Sequence, residues 1–420
     1  MNKDIKYIFL FTTLLLLVIG IGCVSAADTD NLEDITPTID TANQIETTIH
    51  DNNIANENKE LIKEEKKDIK TATAKNFTIT DKSYSTYFDS DSIAKNDVIA
   101  NNSNLILSGN IKNKDFTFDN IKLTVKNDGT STVYNTTITV QNNAVITFDG
   151  LKVSNTNKGD DYTILLESEG NVIKNSIITI KSNTPVQAIK IDENKNKIIN
   201  TTVNVKAPSS DVIYNADYSI GNAATSGIFI RSSNNIINKT KVTYDGKQQT
   251  GYFPSVDGID IQSKAVGLLA ENNIITNSQV IVTGSNYAYG INMGRSKNTK
   301  IENIKINVSS DYYSDAIQLF DADTTQISGK LYSKAVAESY GIYSTAMATG
   351  ISKKITLKNV EITSESEKAR AILIEGSNST SISNSKLNVK GENATAIMGQ
   401  IDWMNNIPNG LSVKNVTLNI

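Results

Sequence analysis

Asn171-Val-Ile-Lys-Asn175-Ser-Ile-Ile-Thr-Ile180 is followed by Asn196-Lys-Ile-Ile-Asn200-Thr-Thr-Val-Asn-Val205. It returns again as Asn273-Ile-Ile-Thr-Asn277-Ser-Gln-Val-Ile-Val282. Weaker copies end at Asn303, Asn359, Asn384 and Asn415, and Ser328 fills one place. Asn238 fits with a slip of one residue, and Asn120 and Gly150 read as earlier members. A unit recurring at intervals of 25 to 39 residues, 25 the commonest, marks a stacked repeat. Within each copy the apolar residues alternate, a period of two that means strand rather than helix.

A second column runs ahead of the first. A small residue precedes apolar-any-apolar in Ala188-Ile-Lys-Ile191, Gly227-Ile-Phe-Ile230, Gly258-Ile-Asp-Ile261, Gly290-Ile-Asn-Met293, Ala316-Ile-Gln-Leu319 and Ala371-Ile-Leu-Ile374. Two or three short strands per repeat, separated by Gly, Asn, Ser and Asp, make a coil of parallel strands. Each coil rises by roughly 4.8 Å, one inter-strand spacing. The fold expected is all-β: a right-handed parallel β-helix of about eleven turns, its inward Ile and Val stacked coil upon coil. The second Asn of each motif is expected at an inner corner, bonded to the Asn above and below, with a structural role.

The scarce residues exclude familiar chemistries. The single Cys is Cys23 and the single His is His50, both ahead of the repeats. A thiol nucleophile, a Ser-His-Asp triad and a His- or Cys-rich zinc site are therefore excluded from the coil. No cofactor and no metal is expected. The formal net charge is −4, so a basic nucleic-acid footprint is absent as well.

Lys3 and Lys6 precede an apolar run from Tyr7 to Val24, and Val24-Ser-Ala-Ala27 supplies small residues for cleavage. Residues 1–26 read as a signal peptide, with an uncleaved membrane anchor as the alternative. Residues 27–75 are polar and charged and read as a disordered tether. The coil then occupies 76–420. The expected location is extracellular or at the cell surface. Leu411 to Ile420 reads as a repeat strand with no cap, an edge at which chains could pair.

The repeat resembles the pectate-lyase-like superfamily of right-handed β-helices over roughly residues 100–420. Val24-Ser-Ala-Ala-Asp28, the acidic tether, Tyr84-Ser-Thr-Tyr87-Phe-Asp89 and Leu105-Ile-Leu-Ser-Gly-Asn-Ile-Lys-Asn-Lys-Asp-Phe116 look like adhesin-like surface proteins of methanogenic archaea. That resemblance implies residues 76–118 as an entry cap, surface display and an adhesive role.

Side-chain parity puts a row of residues outside the strand that follows each small residue: Lys190, Phe229 with Arg231, Asp260, Asn292, Gln318 and Tyr343. The loops entering that strand carry Tyr162, Tyr252, Tyr289, Tyr312 and Tyr340. A tyrosine stacks on a sugar ring by its face and hydrogen-bonds by its tip. Tyr162, Phe229, Arg231, Tyr252, Tyr289, Tyr312, Tyr340 and Tyr343 are thus the glycan-binding candidates.

Ser255-Val-Asp257-Gly258-Ile-Asp260 is similar to the Asn-Thr-Asp-Gly-Ile segment of polygalacturonase-type glycosidases, in which an Asp is the general acid. Asp257, Asp260 and Asp315 are therefore the catalytic candidates. Lys158-Gly-Asp160-Asp161 resembles that family's paired-Asp segment but lies on the wrong side of the motif, and its Gly-His-Gly segment has no counterpart. The main expectation is a non-catalytic, adhesin-like surface protein that binds glycans or surface polymers of other cells or of its own envelope. The alternative is a polysaccharide hydrolase or lyase using the three aspartates, and a third reading is a passive envelope rod.

Overall fold

The structure is a computed structural model. It describes residues 74–420 apart from 211–212, 215–219, 223–224, 248, 251–253, 266, 348–349 and 403. The stretch read as a signal peptide, the expected tether up to residue 73, Cys23, His50 and Tyr252 lie outside the described residues.

The chain is all-β. Parallel strands stack coil upon coil into two long sheets, one of 20 strands and one of 15. Eleven strands of the smaller sheet form an unbroken path from Phe116–Asp119 to Thr395–Gln400. This is the parallel β-helix read from the repeat. Parallel strands cannot be joined by hairpins, so the chain returns through the second sheet on every turn, and such crossovers are right-handed.

Inward residues form one continuous core. Ile189, Ile228, Ile259, Ile291, Ile317, Ile342 and Ile372 stack in register along the smaller sheet, each at most 1% exposed. The small residue before each isoleucine is set by close approach. A Cβ on Gly258 would lie 2.7 Å from the Gly290 carbonyl oxygen and 2.2 Å from Val280. Glycine or alanine therefore occupies this column, and the strand bends there so that residues on either side, such as Asp257 and Asp260, both face outward.

The asparagine columns correct one expectation. It is the first Asn of each motif that is buried. Asn171, Asn196, Asn235 and Asn273 are at most 1% exposed. Each side-chain oxygen accepts the backbone N–H of the column residue one coil before: Asn171 N–H to Asn196 at 2.8 Å, Asn196 to Asn235 at 2.9 Å, Asn235 to Asn273 at 2.9 Å. The Asn196 amide also donates to the Glu193 carbonyl at 2.6 Å.

The second Asn lies on the outside. Asn175, Asn200, Asn277, Asn303, Asn359, Asn384 and Asn415 all have φ between 48 and 56°. That left-handed conformation is one Asn and Gly tolerate best. Gly150 (φ 78°) and Asn120 (φ 48°) share it. Lys239 takes the position where Asn238 was a residue out of step, and Gly329 takes it beside Ser328. The exposed amides still form a ladder, Asn303 to Asn277 at 2.8 Å and Asn415 to Asn384 at 2.9 Å.

The first coils are closed by aromatic packing. A short helix, Tyr84–Tyr87, places Tyr84 and Phe88 face to face at 4.8 Å. Phe116, Phe118 and Phe148 continue the stack inward.

The two columns predict opposite mutational outcomes. Asn196→Ala strands a buried N–H and a buried carbonyl and is expected to lower stability by about 2–3 kcal/mol. Asn200→Gly keeps the left-handed turn and is expected to stay within about 0.5 kcal/mol. Denaturant unfolding of both variants checks this, and equal losses would contradict the assignment of inner and outer columns.

Candidate functional site

The functional residues lie on the outer face of the smaller sheet. Strands Thr225–Ile230, Ser255–Gln262, Tyr287–Lys297, Tyr313–Asp323, Glu338–Met347 and Lys368–Glu375 lie side by side there. Register pairing sets their outward residues in columns. One column runs Ser226, Asp257, Tyr289, Asp315, Tyr340, Arg370. A second runs Ser255, Tyr287, Tyr313, Glu338, Lys368. A third runs Lys190, Phe229, Asp260, Asn292, Gln318, Tyr343, Leu373.

The three candidate aspartates share this face, and all are buried: Asp257 at 0%, Asp260 at 1% and Asp315 at 0% exposure. Among the described residues none forms an ion pair with a lysine or arginine within 4 Å. Burial pushes the Asp257 carboxyl well above its usual range, and the neighbouring Asp260 adds to the rise while Asn292 opposes it. Burial raises Asp260 to about 7, against a Gln262 hydrogen bond at 3.1 Å and the charge of Arg231. Burial also raises Asp315 well above the ordinary value. The Tyr313 hydroxyl donates to it at 3.2 Å and opposes the shift, while Glu338 and Glu375 reinforce it. Desolvating an unpaired carboxylate is costly, so these groups hold protons where an exposed aspartate would not.

The structure brings most of the candidate tyrosines together. Tyr312 meets Tyr287 at 5.9 Å, Tyr287 meets Tyr313 at 5.5 Å, Tyr313 meets Tyr340 at 5.3 Å and Tyr340 meets Tyr343 at 5.4 Å. Tyr289 joins through Tyr313 at 6.2 Å. Tyr162 stands apart, four coils before Tyr289. Phe229 faces outward yet is 1% exposed, with the Arg231 guanidinium 5.8 Å from its ring. It packs as an aromatic floor rather than offering a free face to a sugar. Arg231 lines a smaller cavity of about 210 Å³ with Asp192, Glu193 and Lys264.

A cavity of about 400 Å³ opens at the tyrosine cluster. Tyr313, Tyr340, Tyr343, Glu338, Arg370 and Glu375 line it, with Lys368, Leu373 and Gln400. The Tyr340 hydroxyl donates to Glu338 at 2.5 Å, and Lys368 pairs with the same carboxylate at 3.1 Å. Tyr343 donates to Glu375 at 2.5 Å. The Arg370 guanidinium lies 5.6 Å from the Tyr340 ring. Burial works to raise the Glu338 carboxyl, but Tyr340, Lys368 and Arg370 together hold it below its usual range. Glu338, Lys368, Arg370 and Glu375 were not among the sequence candidates. The signal was present, because Arg370 precedes a small residue of the repeat, Ala371, as Asp257 precedes Gly258.

The paired-Asp look-alike does not reach this site. Asp160 is tied to Lys158 at 2.6 Å beside Tyr162, three coils before Asp257.

No protein-family profile matches the sequence, and no curated protein matches it. Solved structures do share the coil. A mannuronic acid specific polysaccharide family 6 lyase from human gut microbiota is 9% identical, with 82% of each chain covered and a TM-score of 0.45. The catalytic domain of a GH87 alpha-1,3-glucanase is 13% identical, covering 82% of this chain and 63% of its own, at 0.39. The periplasmic alginate epimerase AlgG is 9% identical, covering 82% and 84%, at 0.36. At these identities the likeness is one of fold alone, that of the parallel β-helix. The expectation of a non-catalytic adhesin is corrected here. Solved structures that resemble this coil are described as a polysaccharide lyase, a glucanase, an epimerase and phage tailspike proteins.

The buried carboxyls predict an unusual pH dependence. A carboxyl that keeps its proton in the folded state and loses it in the unfolded state stabilises the fold at acid pH. That contribution is lost as pH rises from the unfolded value near 4 through the folded value, about 7 for Asp260. Melting temperature is therefore expected to fall across pH 4–7. Asp260→Asn is expected to flatten that fall by up to about 4 kcal/mol. A melting profile with unchanged slope in the variant would contradict the raised value.

Proposed function

We propose that this face is the substrate groove of an exported enzyme that cleaves polysaccharide. The observation that carries the reading is the buried set Asp257, Asp260 and Asp315, with no lysine or arginine ion pair within 4 Å among the described residues, on the face that also bears a tyrosine-lined cavity of about 400 Å³. A passive rod gains nothing from three desolvated carboxyls, whereas hydrolysis of a glycosidic bond uses a carboxyl that keeps its proton to a higher pH than usual. Tyrosyl faces and tips suit a sugar ring with its hydroxyls.

The apolar leader at residues 7–24 supports a site of action outside the cell. The polymers met there belong to other cells or to the protein's own envelope. The glycan lies across the coils, along the columns from Asp257 to Arg370, so successive sugars meet successive strands.

Purified protein incubated with a panel of neutral and acidic polysaccharides is expected to shorten at least one polymer, read by size-exclusion chromatography and by new chain ends. Replacing Asp257, Asp260 and Asp315 together by Asn is expected to abolish shortening in a folded protein. Unchanged polymer size across the panel would overturn the reading.

A further inference from the structure

We propose that bond cleavage takes place between two neighbouring coils, with Asp315 as proton donor and Glu338 as the base that activates water. This rests on the polysaccharide-cleaving reading above and names the reacting groups within it.

Two neighbouring strands carry a crossed pattern of carboxyls and tyrosines. Tyr313-Ser-Asp315 lies on one strand and Glu338-Ser-Tyr340 on the next. Register sets Tyr313 beside Glu338 and Asp315 beside Tyr340. The four outward side chains therefore occupy the corners of a square, with the two carboxyls on one diagonal and the two tyrosines on the other. Each tyrosine serves the carboxyl of its own strand. The Tyr313 hydroxyl donates to Asp315 Oδ2 at 3.2 Å, and the Tyr340 hydroxyl donates to Glu338 Oε2 at 2.5 Å. The two rings meet edge to face at 5.3 Å and fix the square.

The corners differ in environment, and that difference assigns the roles. Asp315 is fully buried, and its Oδ1 has no hydrogen-bond partner. Its register neighbours Tyr289 and Tyr340, with Tyr313, surround it, and burial favours the neutral acid. Glu338 lines the open cavity with 28% of its side chain exposed, and Lys368 at 3.1 Å keeps it ionised. Two carboxyls held in opposite protonation states are an acid and a base. A sugar must displace one of the rings over Asp315 to take its proton.

Spacing selects the stereochemistry. The two residues are one coil and two positions apart, so their backbones lie roughly 8 Å from one another, from a strand separation of about 4.8 Å and a rise of about 3.3 Å per residue. Backbones that far apart on one face leave room for a water between the two carboxyls, the arrangement that an inverting cleavage uses. The glycosidic oxygen takes the Asp315 proton as its bond to the anomeric carbon breaks. Glu338 takes a proton from water, whose oxygen bonds to that carbon. Afterwards Glu338 holds the proton and Asp315 is ionised, and exchange with solvent restores both.

The test uses the polymer that wild-type protein shortens. Asp315→Asn and Glu338→Gln are each expected to lower kcat by about 10²–10⁴-fold with KM nearly unchanged, at a melting temperature showing the variant folded. Asp257→Asn is expected to act mainly on KM. Proton NMR of early product is expected to show the anomer opposite to that of the substrate. A Glu338→Gln variant with kcat within about threefold of wild type, or a product that retains its anomeric form, would overturn this pair while leaving the polysaccharide-cleaving reading intact. Wild-type protein that shortens no polymer would overturn both.

Discussion

The coils from Ile146 to Asn273 depend on the peptide N–H groups at their inner corner. A strand leaving one sheet for the next has N–H groups that no parallel neighbour can accept, and burying them unpaired costs about 1–3 kcal/mol each. The Asn171, Asn196, Asn235 and Asn273 column takes those hydrogens one coil at a time. Because each amide reaches its counterpart in the adjacent coil, it fixes the register between coils. That register decides which outward side chains become neighbours. Further along, the same column holds Thr299, Thr325 and Thr380, and the register that sets carboxyls beside tyrosines there is kept by the backbone pairing of the parallel strands.

The strands, the coil and the inward isoleucines were legible in the sequence because a period of two and a repeat of about 25 residues are strong signals. The asparagine assignment was reversed for a readable reason. Inside positions run 171, 173, then 176, 178, 180, so parity switches across Asn175. A switch of parity means the chain turns there, and an Asn at a turn stands outside in the left-handed region. Two asparagines with the same period cannot be told apart by spacing alone, but the parity of their flanking apolar residues separates them.

The groove was half legible. Asp257, Asp260 and Asp315 were found from an Asp-Gly-Ile likeness and from column position, and the structure sets them on one face. Their burial could not be read, because outward parity says only which way a side chain leaves the strand. Phe229 and Asp260 leave outward and are still covered. Glu338 was hidden by its distance along the chain: it lies 23 residues after Asp315, and only the register between coils makes them diagonal neighbours.

The account stands on carboxyls that keep their protons inside a folded coil at neutral pH. Infrared difference spectroscopy between wild type and the Asp257→Asn, Asp315→Asn double variant reads this directly through the carbonyl stretch of a protonated carboxylic acid. The account predicts that band in the wild type at pH 7 and its loss in the variant. Carboxylate bands alone at that pH would show the aspartates ionised, and would contradict both the burial argument and the acid role built on it.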